Sequence, residues 1–141
     1  MSTEVEATGV GFGRTAQAGY EELLQRTEQA LQAEGFGILC RIDVKATLKE
    51  KIGADMPPYI ILGACNPPFA HKALTAEPAV GLMMPCNVVV RQVAADKTRV
   101  EVINANMMGQ MFPGAGLEEV ASEVTARLQK VLDVVVPEDQ A

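Results

Sequence analysis

The chain has 141 residues, of which 48% are hydrophobic and 21% are charged, and its formal net charge is −6. This length and apolar content predict one globular domain over residues 1–141 and exclude a disordered chain. The negative charge argues against nucleic acid as a partner, because an acidic surface repels phosphate backbones, and no basic segment suggests binding to a membrane.

The first part of the chain predicts a strand, a long helix and a second strand. Thr3 to Phe12 is a weak strand, closed by glycines. Apolar residues at helical spacing predict a helix from Ala16 to Glu34, which Gly35 ends. Apolar residues then alternate with mixed ones from Phe36 to Ile42, which predicts a strand with one buried face. Cys40 shares the apolar side of this strand, so we expect it to pack in the core.

The middle of the chain predicts two short helices on either side of a buried strand. Asp43 is a suitable N-cap for a helix from Val44 to Ile52. Tyr59 to Cys65 is a continuous apolar run, typical of a buried strand. Asn66 before a proline favours a new helix start, because proline at the first helical position sacrifices no hydrogen bond; this helix should cover Pro67 to Ala76.

The last part predicts a hairpin followed by a long helix. Leu82 to Val93 and Thr98 to Asn104 are the hairpin strands, and Met107 to Gly116, with its glycines and proline, is a loop. Leu117 to Leu132 has a clear amphipathic pattern, and Val134 to Val136 is predicted as a final extended piece. The order of elements predicts an α+β fold in which an antiparallel sheet carries the long helices on one face.

The compartment is predicted from the N-terminus and the cysteines. The first residues are acidic and polar and lack the basic and apolar regions of a secretory signal. Val80 to Val90 is the longest apolar stretch, and it is too short to span a bilayer. Three cysteines do not suggest a secreted disulfide framework. We therefore expect a cytoplasmic protein with reduced thiols.

Two of the three cysteines are followed directly by asparagine, in Cys65-Asn66 and Cys86-Asn87. Cys65 precedes a predicted helix N-terminus, where the helix dipole favours a thiolate. Cys86 could come close to Cys65 if their two strands pair. We therefore predict that Cys65, Asn66, Cys86 and Asn87 bind a ligand together. The competing interpretation is that both Cys-Asn pairs only shape turns.

His71 is the only histidine, about one helical turn beyond Cys65. It could act as a base, a metal ligand or a heme ligand, although a lone histidine is more often a surface residue. Together with Cys65 and Cys86 it would suit copper(I) or zinc(II). Thioethers also favour copper(I), but methionine more often fills irregular cores and adaptable dimer surfaces. The methionines concerned form two short clusters in the sequence, one of Met83 and Met84 and one of Met107, Met108 and Met111.

A set of short motifs extends along almost the whole chain. They are Gly35-Phe36-Gly37-Ile38, Ile42 to Lys51, Pro57-Pro58-Tyr59, Ile61 to Pro68, Ala70-His71 and Pro85 to Val90. Together they resemble the bacterial and archaeal "domain of unknown function 302" family. The resemblance implies a TATA-binding-protein-like α+β fold in a single copy, with an antiparallel sheet packed against two long helices, short helical insertions, and a homodimer.

The same motif set includes Lys45 and Glu50, which makes them candidate ligand-binding residues, although they also fit a solvated helix face. Met83-Met84 departs from the family pattern, where leucines are expected. The function of the family is unsettled, so the resemblance implies a fold without choosing an activity.

Three functions remain open from the sequence. The leading one is a thiol-lined pocket that binds a soft metal such as copper or zinc, a heme-type cofactor or a small sulfur-containing ligand, or that exchanges redox equivalents. The second is a thiol enzyme with Cys65 as nucleophile and His71 as base. The third is a non-catalytic homodimeric assembly module.

Overall fold

The structure, a computed structural model, describes residues 6, 7 and 9–137. Its strands are β1 (Glu6–Ala7), β2 (Gly11–Ala16), β3 (Gly37–Asp43), β4 (Tyr59–Cys65), β5 (Cys86–Ala94) and β6 (Lys97–Ile103). Its helices are α1 (Tyr20–Ala33), α2 (Val44–Ile52), α3 (Pro67–Ala76), α4 (Met107–Met111) and α5 (Glu118–Val135), and a 3₁₀ helix covers Pro78–Met83.

The strands form one antiparallel sheet in the order β1-β2-β6-β5-β4-β3. The long helices α1 and α5 pack against each other and against this sheet. The α+β architecture with an antiparallel sheet is therefore confirmed. The more specific similarity to the TATA-binding-protein fold is implied by the family resemblance and stays a prediction.

The core lies between the sheet and the two long helices. Alternate residues of the central strands point toward the helices and are fully buried, as Leu62, Val88 and Val100 show. They meet apolar side chains of both helices, such as Leu31 and Leu128. Most of the intervening residues are less buried, as Ile61, Val89 and Glu101 show. The sheet thus has a covered face, toward α1 and α5, and an open face on its other side.

Two arginines hold the C-terminal end of α5. Arg14 of β2 donates a 2.7 Å hydrogen bond to the carbonyl of Val136, and Arg26 of α1 donates one of 3.3 Å to the carbonyl of Val135. Cations are favourable at this end of a helix, where carbonyl groups lack partners. The predicted extended piece over Val134 to Val136 is therefore wrong, because α5 continues to Val135.

Cys40 is not a core residue. A β-bulge between Ile38 and Cys40 shifts the register of β3 by one residue, so the side of the strand changes there. Cys40 is exposed, and its sulfur lies on the open face above Gly63, where an added Cβ would come within 2.6 Å of it. The prediction that Cys40 packs in the core is wrong, because the regular alternation on which it depended is interrupted.

Other boundaries also differ from the sequence predictions. The predicted first strand begins outside the described residues, and the glycines expected to close it lie inside or next to β2. Ala16 belongs to β2 rather than to the first helix, which begins at Tyr20. Leu82 lies in the 3₁₀ helix, so the strand predicted from it begins only at Cys86. The predicted loop after Met107 starts with the short helix α4.

None of the helices within the described residues is long and apolar enough to cross a membrane.

The one-sided core predicts a large contrast between two leucines of adjacent strands. Leu62 is fully buried, whereas Leu39 is 67% exposed. We expect Leu62→Ala to lower the free energy of unfolding by about 2–5 kcal/mol, through lost burial and a residual cavity. Leu39→Ala should change it by less than about 0.5 kcal/mol. Urea denaturation of both variants checks this, and equal losses would contradict the assignment of the two faces.

Candidate functional site

The two Cys-Asn pairs meet at one corner of the sheet. Cys65 ends β4 and Cys86 begins β5, and these strands are antiparallel neighbours whose register pairs Ala64 with Cys86. Helix α3 starts at Pro67, directly after this corner. In this part of the chain a strand is followed by an asparagine, a proline and then a helix. This order places the N-terminus of α3 beside two cysteines.

Both cysteines line a small cavity on the covered side of this corner. Its volume is about 30 Å³, enough for a single water molecule or ion. Its walls are almost entirely apolar, apart from the sulfur atoms. The lining includes Cys65, Cys86, Met84, Met108, Phe36 and Phe69. Four sulfur-bearing residues therefore line one small and mostly apolar space.

The thiol of Cys86 is held in its neutral form. Burial, and to a smaller extent the nearby Cys65, raise its pKa to about 11, because a buried thiolate is poorly solvated and two thiolates would repel each other. Cys65 is partly buried at the end of its strand. The two groups thus influence each other electrostatically, in agreement with their positions on neighbouring strands.

Asn66 is buried, and its side chain connects two helices instead of capping α3. It occupies the N-cap position of α3, but its side chain makes no capping hydrogen bond. Instead its Nδ2 donates to the carbonyl of Glu34 over 3.1 Å, and Nη1 of Arg127 donates to the same carbonyl over 3.1 Å. This carbonyl lies just after α1, so Asn66 ties the start of α3 to the end of α1.

Asn87 lies on the other side of the sheet. It follows Cys86 in β5, and because side chains alternate along a strand, Cys86 faces the covered side while Asn87 faces the open one. Asn87 is exposed and does not line the sulfur cavity. The structure thus brings Cys65, Asn66 and Cys86 together and separates Asn87 from them.

The remaining predicted site residues lie outside the cavity. His71 is exposed on α3, and Lys45 and Glu50 are exposed on α2, a helix with no buried residue. None of the three lines the cavity. Among the side chains that the structure describes, no three of His, Cys, Asp or Glu stand close enough to hold a metal ion. Cys65, Cys86 and His71 are therefore not assembled as a three-ligand metal site.

Met84 and Met108 were missing from the predicted site. The sequence marks both as members of methionine clusters, which more often fill a core or a dimer surface, and it marks Met84 also through its departure from the family pattern. They come together because the 3₁₀ helix delivers Met84 to the start of β5 while α4 places Met108 near the same corner. Only the tertiary structure joins these two segments.

The chain is similar to a known protein family and to a solved structure. The family described as "Domain of unknown function DUF302" matches residues 12–135. The chain belongs to the DUF302 family. The crystal structure of an uncharacterized conserved DUF302 protein from Bacillus stearothermophilus is similar, with a TM-score of 0.82 and 32% identity, covering 91% of this chain and 99% of that one. No curated protein matches the chain. Membership of the DUF302 family confirms the resemblance and leaves the chemistry to be argued from the cavity.

The two asparagines of this DUF302 protein should contribute differently to stability. Asn66→Ala removes a buried hydrogen bond to the Glu34 carbonyl, and we expect it to lower the free energy of unfolding by about 1–2 kcal/mol. Asn87→Ala is the matched control on the open face, and it should change the value by less than about 0.5 kcal/mol. Thermal or urea unfolding of both variants measures the difference. A larger loss from Asn87→Ala would contradict the roles assigned here.

The three thiols should react with iodoacetamide in a fixed order. The thiolate is the reactive form, so a pKa of about 11 leaves only about one Cys86 in a thousand reactive at pH 8. We expect the exposed Cys40 to be modified first and Cys86 last. The rate at Cys86 should rise about tenfold per pH unit until the pH approaches 11. Peptide mass spectrometry over time gives each rate, and modification of Cys86 as fast as Cys40 would contradict this order.

Proposed function

We propose that this protein binds a single soft metal ion, copper(I), in the cavity between Cys65 and Cys86. The observation that carries the proposal is that Cys65, Cys86, Met84 and Met108 line the same 30 Å³ space. Thiolate and thioether sulfur are the ligand types that select copper(I). The volume suits one ion.

The size and composition of the cavity favour copper(I) over the other ligands considered. Ligand pockets for larger molecules typically have about 300–1,000 Å³, so a heme does not fit a cavity of this volume. Zinc usually takes four nitrogen, oxygen or thiolate ligands. Among the described His, Cys, Asp and Glu side chains, no third one joins the two cysteines. The thioethers of Met84 and Met108 are weak ligands for zinc but suitable ones for copper(I).

The surroundings of the cavity also support a bound ion of this kind. Phe36 and Phe69 line it and limit access of water, which protects copper(I) and its thiolate ligands from solvent. The guanidinium of Arg127 lies 5.1 Å from the centre of the Phe69 ring and so holds this wall in place. The thiol-enzyme hypothesis has less support, because the exposed His71 does not line the cavity.

The proposal predicts which substitutions weaken copper(I) binding. In an anaerobic titration against a colorimetric copper(I) chelator, we expect one ion per chain. Cys65→Ser and Cys86→Ser should each weaken binding by at least about 100-fold, since even outer-shell changes at metal sites cost 10–100-fold. Met84→Leu should weaken it less, by about tenfold, because a thioether is a neutral ligand.

Two conservative variants serve as controls. Cys40→Ser removes the thiol on the open face, and Met83→Leu removes the neighbouring thioether that does not line the cavity. Both should bind copper(I) like the wild type. Far-ultraviolet circular dichroism establishes that every variant is folded. Wild-type affinity in both Cys65→Ser and Cys86→Ser, or an equal loss in Cys40→Ser, would overturn the copper proposal.

A further inference from the structure

A cleft between α3 and α5 lies next to the sulfur cavity. Its volume is about 340 Å³, and α3 contributes Phe69 and Lys72 to its walls. The first turns of α5 contribute the opposite wall, and Gly116 lies just before them. The residues of α5 that line the cleft are Glu119, Val120 and Glu123. We call this region the α3–α5 cleft.

Phe69 and Val120 lie between this cleft and the sulfur cavity. Both residues line the cleft, and both also line the cavity that Cys65 and Cys86 line. The two spaces are therefore neighbours that share part of one wall. Val120 is buried, whereas Phe69 is only partly buried and stands nearer to solvent.

The rim of the cleft is polar. Lys72, Glu119 and Glu123 are all exposed there, so water reaches the cleft. Phe69 and Val120 end this hydrated region, and the sulfur cavity begins behind them. The shared wall is therefore the boundary between water and the cysteines on this side of the cavity.

Most other directions into the cavity lead through the core. Phe36, Ala73 and Met108 line the cavity and are buried between the sheet and the helices. Close packing in a protein interior leaves no path for an ion there. The alternative direction is the sheet corner, where Met84 is only partly buried.

Arg127 holds the Phe69 ring in its place. The guanidinium lies 5.1 Å from the centre of the ring, and its Nη1 donates to the carbonyl of Glu34 over 3.1 Å. Its Nε also lies 3.7 Å from Oε1 of Glu123, on the opposite wall of the cleft. Rotation of the Phe69 side chain to another rotamer moves the ring without moving a strand or a helix. This part of the shared wall can therefore open locally.

We propose that copper(I) enters and leaves the sulfur cavity through the α3–α5 cleft, and that Phe69 is the gate. This inference rests on the proposed copper site and adds the route to it. In the position that the structure shows, the ring separates the cysteines from the water in the cleft. A gate changes the barrier for entry and exit alike, so it sets the rates of loading and release more than the affinity.

Phe69→Ala tests the gate. Anaerobic stopped-flow transfer of copper(I) from a colorimetric chelator gives the loading rate, and removal by excess chelator gives the release rate. We expect both rates to rise about tenfold, while the dissociation constant changes by less than either rate. Phe12→Ala is the matched control, because Phe12 is also partly buried against the core but lines neither space. It should load and release copper(I) like the wild type.

Glu119→Trp tests the route from the outside. Glu119 is exposed and lines the cleft, so a large ring at this position fills the cleft and should slow loading and release about tenfold. Glu118→Trp is the matched control, because Glu118 is the exposed neighbour that does not line the cleft. A loss of stability would speed both rates, so slower rates in Glu119→Trp report a blocked route.

Alkylation by iodoacetamide tests the same route without copper. In the metal-free protein, Phe69→Ala should raise the rate at Cys86 about tenfold and Glu119→Trp should lower it. The exposed Cys40 is the internal reference, and its rate should stay the same in both variants.

The outcomes separate this inference from the copper proposal. Copper binding with unchanged rates in Phe69→Ala, or with equal changes in Phe69→Ala and Phe12→Ala, would overturn the gate alone. Unchanged rates in Glu119→Trp would overturn the route through the cleft and place it at the sheet corner. Absence of copper binding in the wild type would overturn the copper proposal, and this route for copper with it.

Discussion

Both long helices pack on the same face of the sheet, and the chemistry of this protein depends on that one-sided coverage. Side chains alternate along a strand, so each pair of successive residues in β4, β5 and β6 enters two different environments. Cys86 and Asn87 are the clearest example, because the thiol lies on the covered side and the amide on the open side. Cys86 and Asn87 therefore do not line the same cavity.

The second constraint is the backbone carbonyl of Glu34, which receives hydrogen bonds from Asn66 and Arg127. It links the end of α1, the start of α3 and the middle of α5. Gly35 follows with a φ of +88°, a conformation that glycine adopts without strain, and an added Cβ there would come within 3.1 Å of Asn66. This junction positions the first turn of α3, and with it the Phe69 wall of the sulfur cavity.

The two faces of the sheet differ in their surroundings. On the covered side, an apolar environment keeps Cys86 neutral and favours soft sulfur ligands over charged groups. On the open side, partial exposure to solvent allows two arginines and a glutamate to remain charged within one cluster. The copper(I) proposal thus belongs to the covered side, where hydration is lower than on the open side of the same sheet.

Local signals in the sequence determined the α+β order and several boundaries to the residue. Helix α2 runs from Val44 to Ile52 as predicted, because Asp43 accepts a hydrogen bond from the Ala46 amide and Gly53 ends the helix in a left-handed conformation. Strand β4 and helix α3 also have their predicted bounds, since the Asn66-Pro67 pair separates them. The sequence indicated that Cys86 would come close to Cys65 if their two strands pair, and β4 and β5 do pair, with Ala64 opposite Cys86. Only the tertiary structure decided what each segment meets. The bulge in β3 turned Cys40 to the open face. Arginines from distant segments bind the last carbonyls of α5, which continues to Val135, and the fold gathered Met84 and Met108 near the cysteines. These outcomes depend on contacts between segments far apart in the chain, and no local pattern of residues encodes such contacts.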